Sequence, residues 1–216
     1  MRRPYVVLFY TLLATLGLYP LLRTLQLPQW PMDILLAISL LGAAAAAAQG
    51  YRRHLLIGLI ATAIVARLVG KVLGFGMLFD EASSVGWVLI AVFAAAGALR
   101  FMFRPGTVGS EQLYAALSAY LLVGLFMGVL FAAIGARSPE AFLVLGAPAS
   151  TANFAPATAT YFSFVTLATL GYGDIVPTDA VTRGLAVFEA VGGQLYLAVL
   201  VARLVSQRAP APPNRP

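Results

Sequence analysis

Apolar residues run along this chain in long unbroken stretches, not in the alternation of a half-buried strand or the single stripe of a surface helix. A helix that crosses the hydrocarbon core of a bilayer needs about 20 mostly apolar residues. Six stretches satisfy this, at roughly 5–22, 33–49, 55–74, 85–103, 112–136 and 180–205. A seventh, 158–168, is too short to cross and runs straight into the sequence TLGYGD. Short polar connections such as GYRRH and DEASS separate the early stretches. Ser110, followed by Glu111, is the expected N-cap of the fifth helix, and Asp179 or Thr178 that of the sixth. Residues 137–157, rich in Ala, Pro, Ser and Thr, read as an irregular loop, and the Pro-rich tail 207–216 as disordered.

Composition strengthens the membrane reading. The 216 residues are 61% hydrophobic and only 10% charged, against about 25% charged in soluble domains. The net charge of +6 comes from scattered basic residues, whereas a nucleic-acid surface needs a basic patch. Without cysteine there is neither a disulfide nor a thiolate metal site. The single histidine, His54, sits beside Arg52 and Arg53 and reads as a solvated loop residue. No catalytic constellation is present, so no enzyme is expected. The basic, apolar N-terminus lacks a small-residue cleavage site and reads as an uncleaved first span. Placing Arg2, Arg3, Arg52, Arg53, Arg100, Arg104, Arg203, Arg208 and Arg215 inside, against Arg23, Lys71, Arg137 and Arg183 outside, predicts that both termini are cytoplasmic.

The stretch TLATLGYGDIVP, Thr166 to Pro177, demands more than a turn. Non-helical backbone at membrane depth is tolerated only inside protein or along a watery path. Gly171 and Gly173 can adopt backbone angles that L-residues avoid. Alternated with Leu170 and Tyr172, they allow successive carbonyls to point to one side, and Thr169 adds a hydroxyl oxygen. Four such strands around an axis would stack rings of oxygens able to replace the water shell of a weakly hydrated cation. The short helix before them would aim its negative C-terminal end at the same path.

These residues resemble the filter of tetrameric potassium channels, the standing example of selectivity by carbonyl rings. The likeness covers about 112–205 and extends to YFSFVTLATLGYGDIVPTD and EAVGGQLYLAVLVARLV, which are similar to bacterial members of the family. It implies K+ bound at Thr169, Leu170, Gly171, Tyr172 and Gly173, no organic cofactor, a homotetramer in the lipid bilayer of the cell membrane, and no nucleic-acid or small-molecule partner. It implies filter support from Thr166, Ser163 and Asp174, and from Tyr161 and Phe162 as an aromatic cuff. The sequence departs from the family pattern in having Leu170 where Val is usual, and Val165 where many members carry a carboxylate that bonds the Asp after the filter. Asp174 then needs another partner or faces water.

In the last apolar stretch, Gly192 and Gly193 sit mid-helix, where glycine is disfavoured by about 1 kcal/mol each. Gly193 matches the family's hinge position, and close helix packing is the competing reading. Gln194, Leu197, Ala198 and Val201 share a face that could line a cavity, with Gln194 able to contact a hydrated ion. Glu189 is expected behind the filter, bonded to Ser163 or Thr166 and protonated, with a cavity-facing position as the alternative. The fourth stretch carries only Arg100 and Arg104, both at its end, which predicts a voltage-sensor-like domain that does not sense voltage. Arg67 and Lys71 are expected to pair with Asp33, Asp80 or Glu81, or to snorkel.

The expected architecture is an all-α integral membrane protein with six transmembrane helices, a re-entrant pore helix and a filter loop. The expected parts are a four-span peripheral domain (1–108), a pore domain (109–206) and a tail (207–216). The expected function is passive, potassium-selective conduction. A weakly selective cation channel and a non-conducting accessory membrane protein are the alternatives.

Overall fold

The computed structural model describes residues 4–24, 95–101, 109–150 and 153–206, with side chains of 19–24 excepted. The expected spans 33–49 and 55–74, most of 85–103, the residues His54, Arg67, Lys71 and Arg104, and the tail 207–216 lie outside the described residues. Four helices are labelled in order: α1 (Pro4–Thr24), α2 (Ser110–Arg137), α3 (Pro156–Leu167) and α4 (Ala180–Ser206). Residues 95–101 are helical as well. At 1.5 Å per residue, α2 and α4 are each about 40 Å long, whereas α3 is about 18 Å. Among the described residues α2 and α4 are long and apolar enough to cross a membrane, and α3 can reach only part way.

Contacts fix how the helices run. Tyr5 stacks on Phe101 with ring centroids 4.7 Å apart, and its backbone N–H donates to Glu111 Oε2 at 3.3 Å. Tyr196 on α4 donates its hydroxyl to the Ala116 carbonyl at 2.6 Å. The start of α1, the end of 95–101, the start of α2 and the end of α4 therefore share one end of the molecule. Leu8 and Leu12 bury against Ala115, Ala119 and Leu122 along the α1–α2 seam.

Two corrections concern local structure. The expected cap Ser110 is instead the first helical residue of α2; Gly109 occupies the cap position and donates its N–H to the Gln112 side chain at 3.0 Å. A glutamine at the third helical position can reach back in this way, so the cap needs no hydroxyl. At the start of α4 the cap is Asp179. Its Oδ1 accepts from the Thr182 N–H at 2.7 Å and hydroxyl at 2.8 Å, which holds this carboxyl below the usual carboxylate range.

The second correction is that the chain is mostly, not wholly, helical. The stretch expected to be an irregular loop holds a short 3-10 turn (Pro139–Ala141) and the strands β1 (Phe142–Val144) and β2 (Ala147–Pro148). Strand β3 (Ile175–Pro177) completes an antiparallel sheet in the order β2-β1-β3. Phe142 faces Pro177, and Val144 faces Ile175. Phe-Leu-Val is a strand-forming run that pairs locally with β2 across a two-residue turn, while its other partner, β3, lies more than 30 residues on, so no local signal reveals that second pairing. Beneath the sheet Phe131, Phe142, Phe154 and Phe162 form one aromatic cluster, with Phe142 stacked on Phe154 at 4.6 Å and Phe131 edge-on to Phe162 at 5.0 Å.

Glycines let the helices approach. A Cβ on Gly124 would lie 2.6 Å from the Phe164 ring, and one on Gly128 would lie 2.6 Å from the Thr160 Cα. This four-residue spacing of glycines is a common seam between membrane helices. On α4, a Cβ on Gly193 would lie 2.8 Å from the Leu167 carbonyl oxygen, while one on Gly192 would meet nothing within 4 Å. Alanine at Gly128 or Gly193 must therefore move backbone, at a cost of about 1–3 kcal/mol that exceeds the gain of about 1 kcal/mol in helix propensity. Gly128→Ala and Gly193→Ala should each lower the unfolding temperature of detergent-purified protein, and Gly17→Ala, in open space, should leave it unchanged or raise it.

Candidate ion pathway

The segment after α3 turns back on itself. The end of α3 stands beside Tyr120, whose hydroxyl donates to the Leu167 carbonyl at 3.2 Å. Tyr120 is about 15 Å along α2 from its start, so α3 stops near mid-depth. The Ala168, Thr169 and Leu170 N–H groups then bond the carbonyls of Phe164, Thr166 and Val165 at 3.0, 2.9 and 2.8 Å. From there the chain runs back towards β3.

Backbone φ is positive at Thr169 (56°), Gly171 (56°) and Gly173 (78°), and Leu170 and Tyr172 are not among the positive-φ residues. In an ordinary strand successive carbonyls point to opposite sides. Alternating the hand of successive residues turns every second peptide plane and brings the carbonyls to one side. Glycine takes the left-handed values without strain, and for Thr169 they cost about 1–2 kcal/mol. Sequence reasoning assigned the unusual angles to the glycines and missed Thr169. All five residues, Thr169, Leu170, Gly171, Tyr172 and Gly173, are exposed in the single chain.

Both ends of this segment are held. At the inner end the Gln194 amide lies 3.4 Å from Thr169 Oγ1, a long hydrogen bond from α4. Thr166 is half-buried, and its carbonyl closes the turn to Thr169. At the outer end Tyr161 donates its hydroxyl to Asp174 Oδ2 at 2.9 Å. The Asp174 carbonyl accepts from the Leu145 N–H at 2.8 Å. Leu145 and Gly146, both with positive φ (50° and 83°), form the two-residue β1–β2 turn, a geometry that matches the twist of a tight hairpin. Thr178 bonds the Glu140 carbonyl through its hydroxyl and the Ala141 carbonyl through its N–H at 3.0 Å.

The remaining expected site residues separate into two groups. Ser163 and Glu189 are brought together: the Ser163 hydroxyl lies 2.5 Å from Glu189 Oε1 and 2.7 Å from the Gly124 carbonyl oxygen. Of the two hydroxyls offered for Glu189, the nearby one is Ser163, and the carboxyl is buried rather than cavity-facing. Phe162 is buried, its ring on Phe131 and Phe142. Val165 is buried. Gly193 packs on Leu167 while Gly192 is open; Gln194, Ala198 and Val201 are exposed and Leu197 is half-buried. The glycine spacing of Gly124 and Gly128 and the hydroxyl of Tyr120 went unnoticed in the sequence. The first is a readable signal in an apolar helix; the second carries none.

Comparison with known proteins bears on this same region. Residues 116–207 match a family model described as ion channel. Over 46 residues the chain is 46% identical to a two-pore potassium channel 4 of Arabidopsis thaliana, a stretch that covers 21% of this chain and 16% of that protein. The match thus spans about a sixth of the relative's length. No solved structure matches. From α2 to α4, this mostly helical membrane protein is similar to ion channels.

Proposed function

We propose that the chain is one subunit of a homotetrameric channel that passes K+ selectively and passively across the cell membrane. The observation that carries this reading is the alternating backbone hand at Thr169, Gly171 and Gly173, in a segment that re-enters between two membrane-length helices. One chain offers one wall of oxygens, and a ring around a dehydrated ion needs several. Carbonyls from Thr169 to Gly173, with the Thr169 hydroxyl at the inner end, stand in for the hydration shell of K+. Asp174 marks the outer mouth and Tyr161 braces it. Support for assembly comes from α4, whose Val187, Phe188, Val191, Leu195 and Val199 are exposed and apolar on the single chain. A face shared between neighbouring copies and lipid accounts for them.

Below the filter, Gln194, Leu197 and Val201 line the cavity, and the open Gly192, not the packed Gly193, gives α4 room to bend. The conduction is taken to be independent of voltage, since the expected peripheral domain has few spaced arginines. Both termini are placed in the cytoplasm. This agrees with the start of α1 and the end of α4 lying at the same end of the molecule, opposite Asp174.

Purified protein should have a mass of four times 22.8 kDa once detergent is subtracted. In planar bilayers its reversal potential should follow the K+ gradient and be unmoved by Na+. A potential midway between the two cation gradients would instead support a weakly selective pore, and no flux from a correctly assembled tetramer would support an accessory role. Tyr161→Phe removes the donor to Asp174 and keeps the ring. Loss of this half-exposed bond is worth about 1 kcal/mol after solvent screening, so single-channel open probability should fall roughly fivefold with selectivity unchanged.

A further inference from the structure

The Ser163–Glu189 contact holds more information than its length. Ser163 Oγ is 2.7 Å from the Gly124 carbonyl oxygen and 2.5 Å from Glu189 Oε1. A serine hydroxyl has one proton, and a backbone carbonyl only accepts. If the Ser163 proton goes to Gly124, the contact with Glu189 requires a proton on the carboxyl. The opposite arrangement directs the hydroxyl proton to an ionised carboxylate. It then leaves the serine lone pairs facing the Gly124 oxygen and a charged, buried Oε2 without any partner. Glu189 is 3% exposed, and an uncompensated buried charge costs far more than a neutral carboxyl with one unbonded oxygen.

Among the described residues, the groups that face Glu189 supply no counter-charge. From α3 there is Ser163. From α2 there is Tyr120, within electrostatic reach and with its hydroxyl committed to the Leu167 carbonyl. On α3 the other titratable group, Tyr161, is bonded to Asp174 at the outer end. On its own helix, Arg183 lies towards the outer end, bonded to the Pro177 carbonyl, and Tyr196 lies about two turns the other way, on Ala116.

We propose that Glu189 is a positioning residue for conduction that acts through its own proton, by the chain Glu189 carboxyl to Ser163 hydroxyl to Gly124 carbonyl, which ties α4, α3 and α2 together behind the filter. The tie is one helical turn from the contact of Leu167 with Gly193, and the filter begins two residues after Leu167. Removing the proton leaves two acceptors facing Ser163 and places a charge in the seam, so α3 and α4 separate and Thr169 loses its fixed position. This role rests on the channel reading, whereas the protonated carboxyl does not.

Two measurements on the full-length tetramer, made across pH, test the idea. In proteoliposomes, K+ flux should fall about tenfold as the pH is raised through loss of the proton, the factor that one buried hydrogen bond corresponds to. The infrared C=O stretch of a protonated carboxyl should fade over the same pH range. Glu189→Gln, whose amide still donates to Ser163, should keep the flux at every pH and lack the infrared band; Glu189→Ala should be slow at every pH. The proposal is overturned if wild type and Glu189→Gln show the same infrared spectrum at neutral pH, or the same pH dependence of flux. A band without potassium flux at any pH would remove the channel reading and the conduction role with it, and would leave the proton assignment standing.

Discussion

A helix that stops at mid-depth in a membrane leaves its last carbonyls and the next N–H groups with no water to bond. The structure solves this at one junction, and the remainder of the site hangs from it. The Tyr120 hydroxyl takes the Leu167 carbonyl, three successive N–H groups fold back onto α3, and Gly193 brings α4 against the same carbonyl. Only with these groups satisfied can the chain leave the helix as exposed backbone. The aromatic side chain from α2 and the missing side chain on α4 are thus parts of one solution.

The junction also explains why a threonine tolerates a left-handed backbone. Thr169 is the first residue released from the α3 turn, its N–H held by the Thr166 carbonyl and its hydroxyl within reach of Gln194. Strain of about 1–2 kcal/mol persists where the surroundings over-determine the conformation. Its effect is to continue inward the alternation that Gly171 and Gly173 adopt freely. Bonding at the far end is equally firm. Asp174 is held by Tyr161 through its side chain and by Leu145 through its backbone, and the next three residues are anchored as strand β3. The sheet that corrects the all-helical expectation is therefore a clamp on the outer end of the same segment.

Three seams transmit these constraints: Gly124 and Gly128 against α3, Ser163 against Glu189, and Leu167 against Gly193. Each relies on backbone proximity at a glycine or on a close polar contact. The packing is close because small residues let van der Waals contact act where apolar burial gives little advantage over lipid. That is why Gly193, which matches a hinge position by likeness, reads in three dimensions as a packing residue, whereas a Cβ on Gly192 would meet nothing within 4 Å.

By itself the sequence determined the long apolar helices, the extents of α1, α2 and α4 to within a few residues, the short helix before TLGYGD, and the two glycines there that take left-handed backbone. Long apolar runs and a glycine-alternating motif are local properties, and local physics reads them. Only the tertiary structure decided which hydroxyl meets Glu189, that Tyr161 bonds Asp174, that Phe162 belongs to the phenylalanine cluster, and that Phe142–Val144 pairs with Ile175–Pro177. Each of these depends on segments far apart in the chain being brought together, and the contacts of Asp174, β3 and Glu189 form only after the reversal at Thr169. No spacing in the sequence encodes a contact whose partner arrives only after the chain has turned.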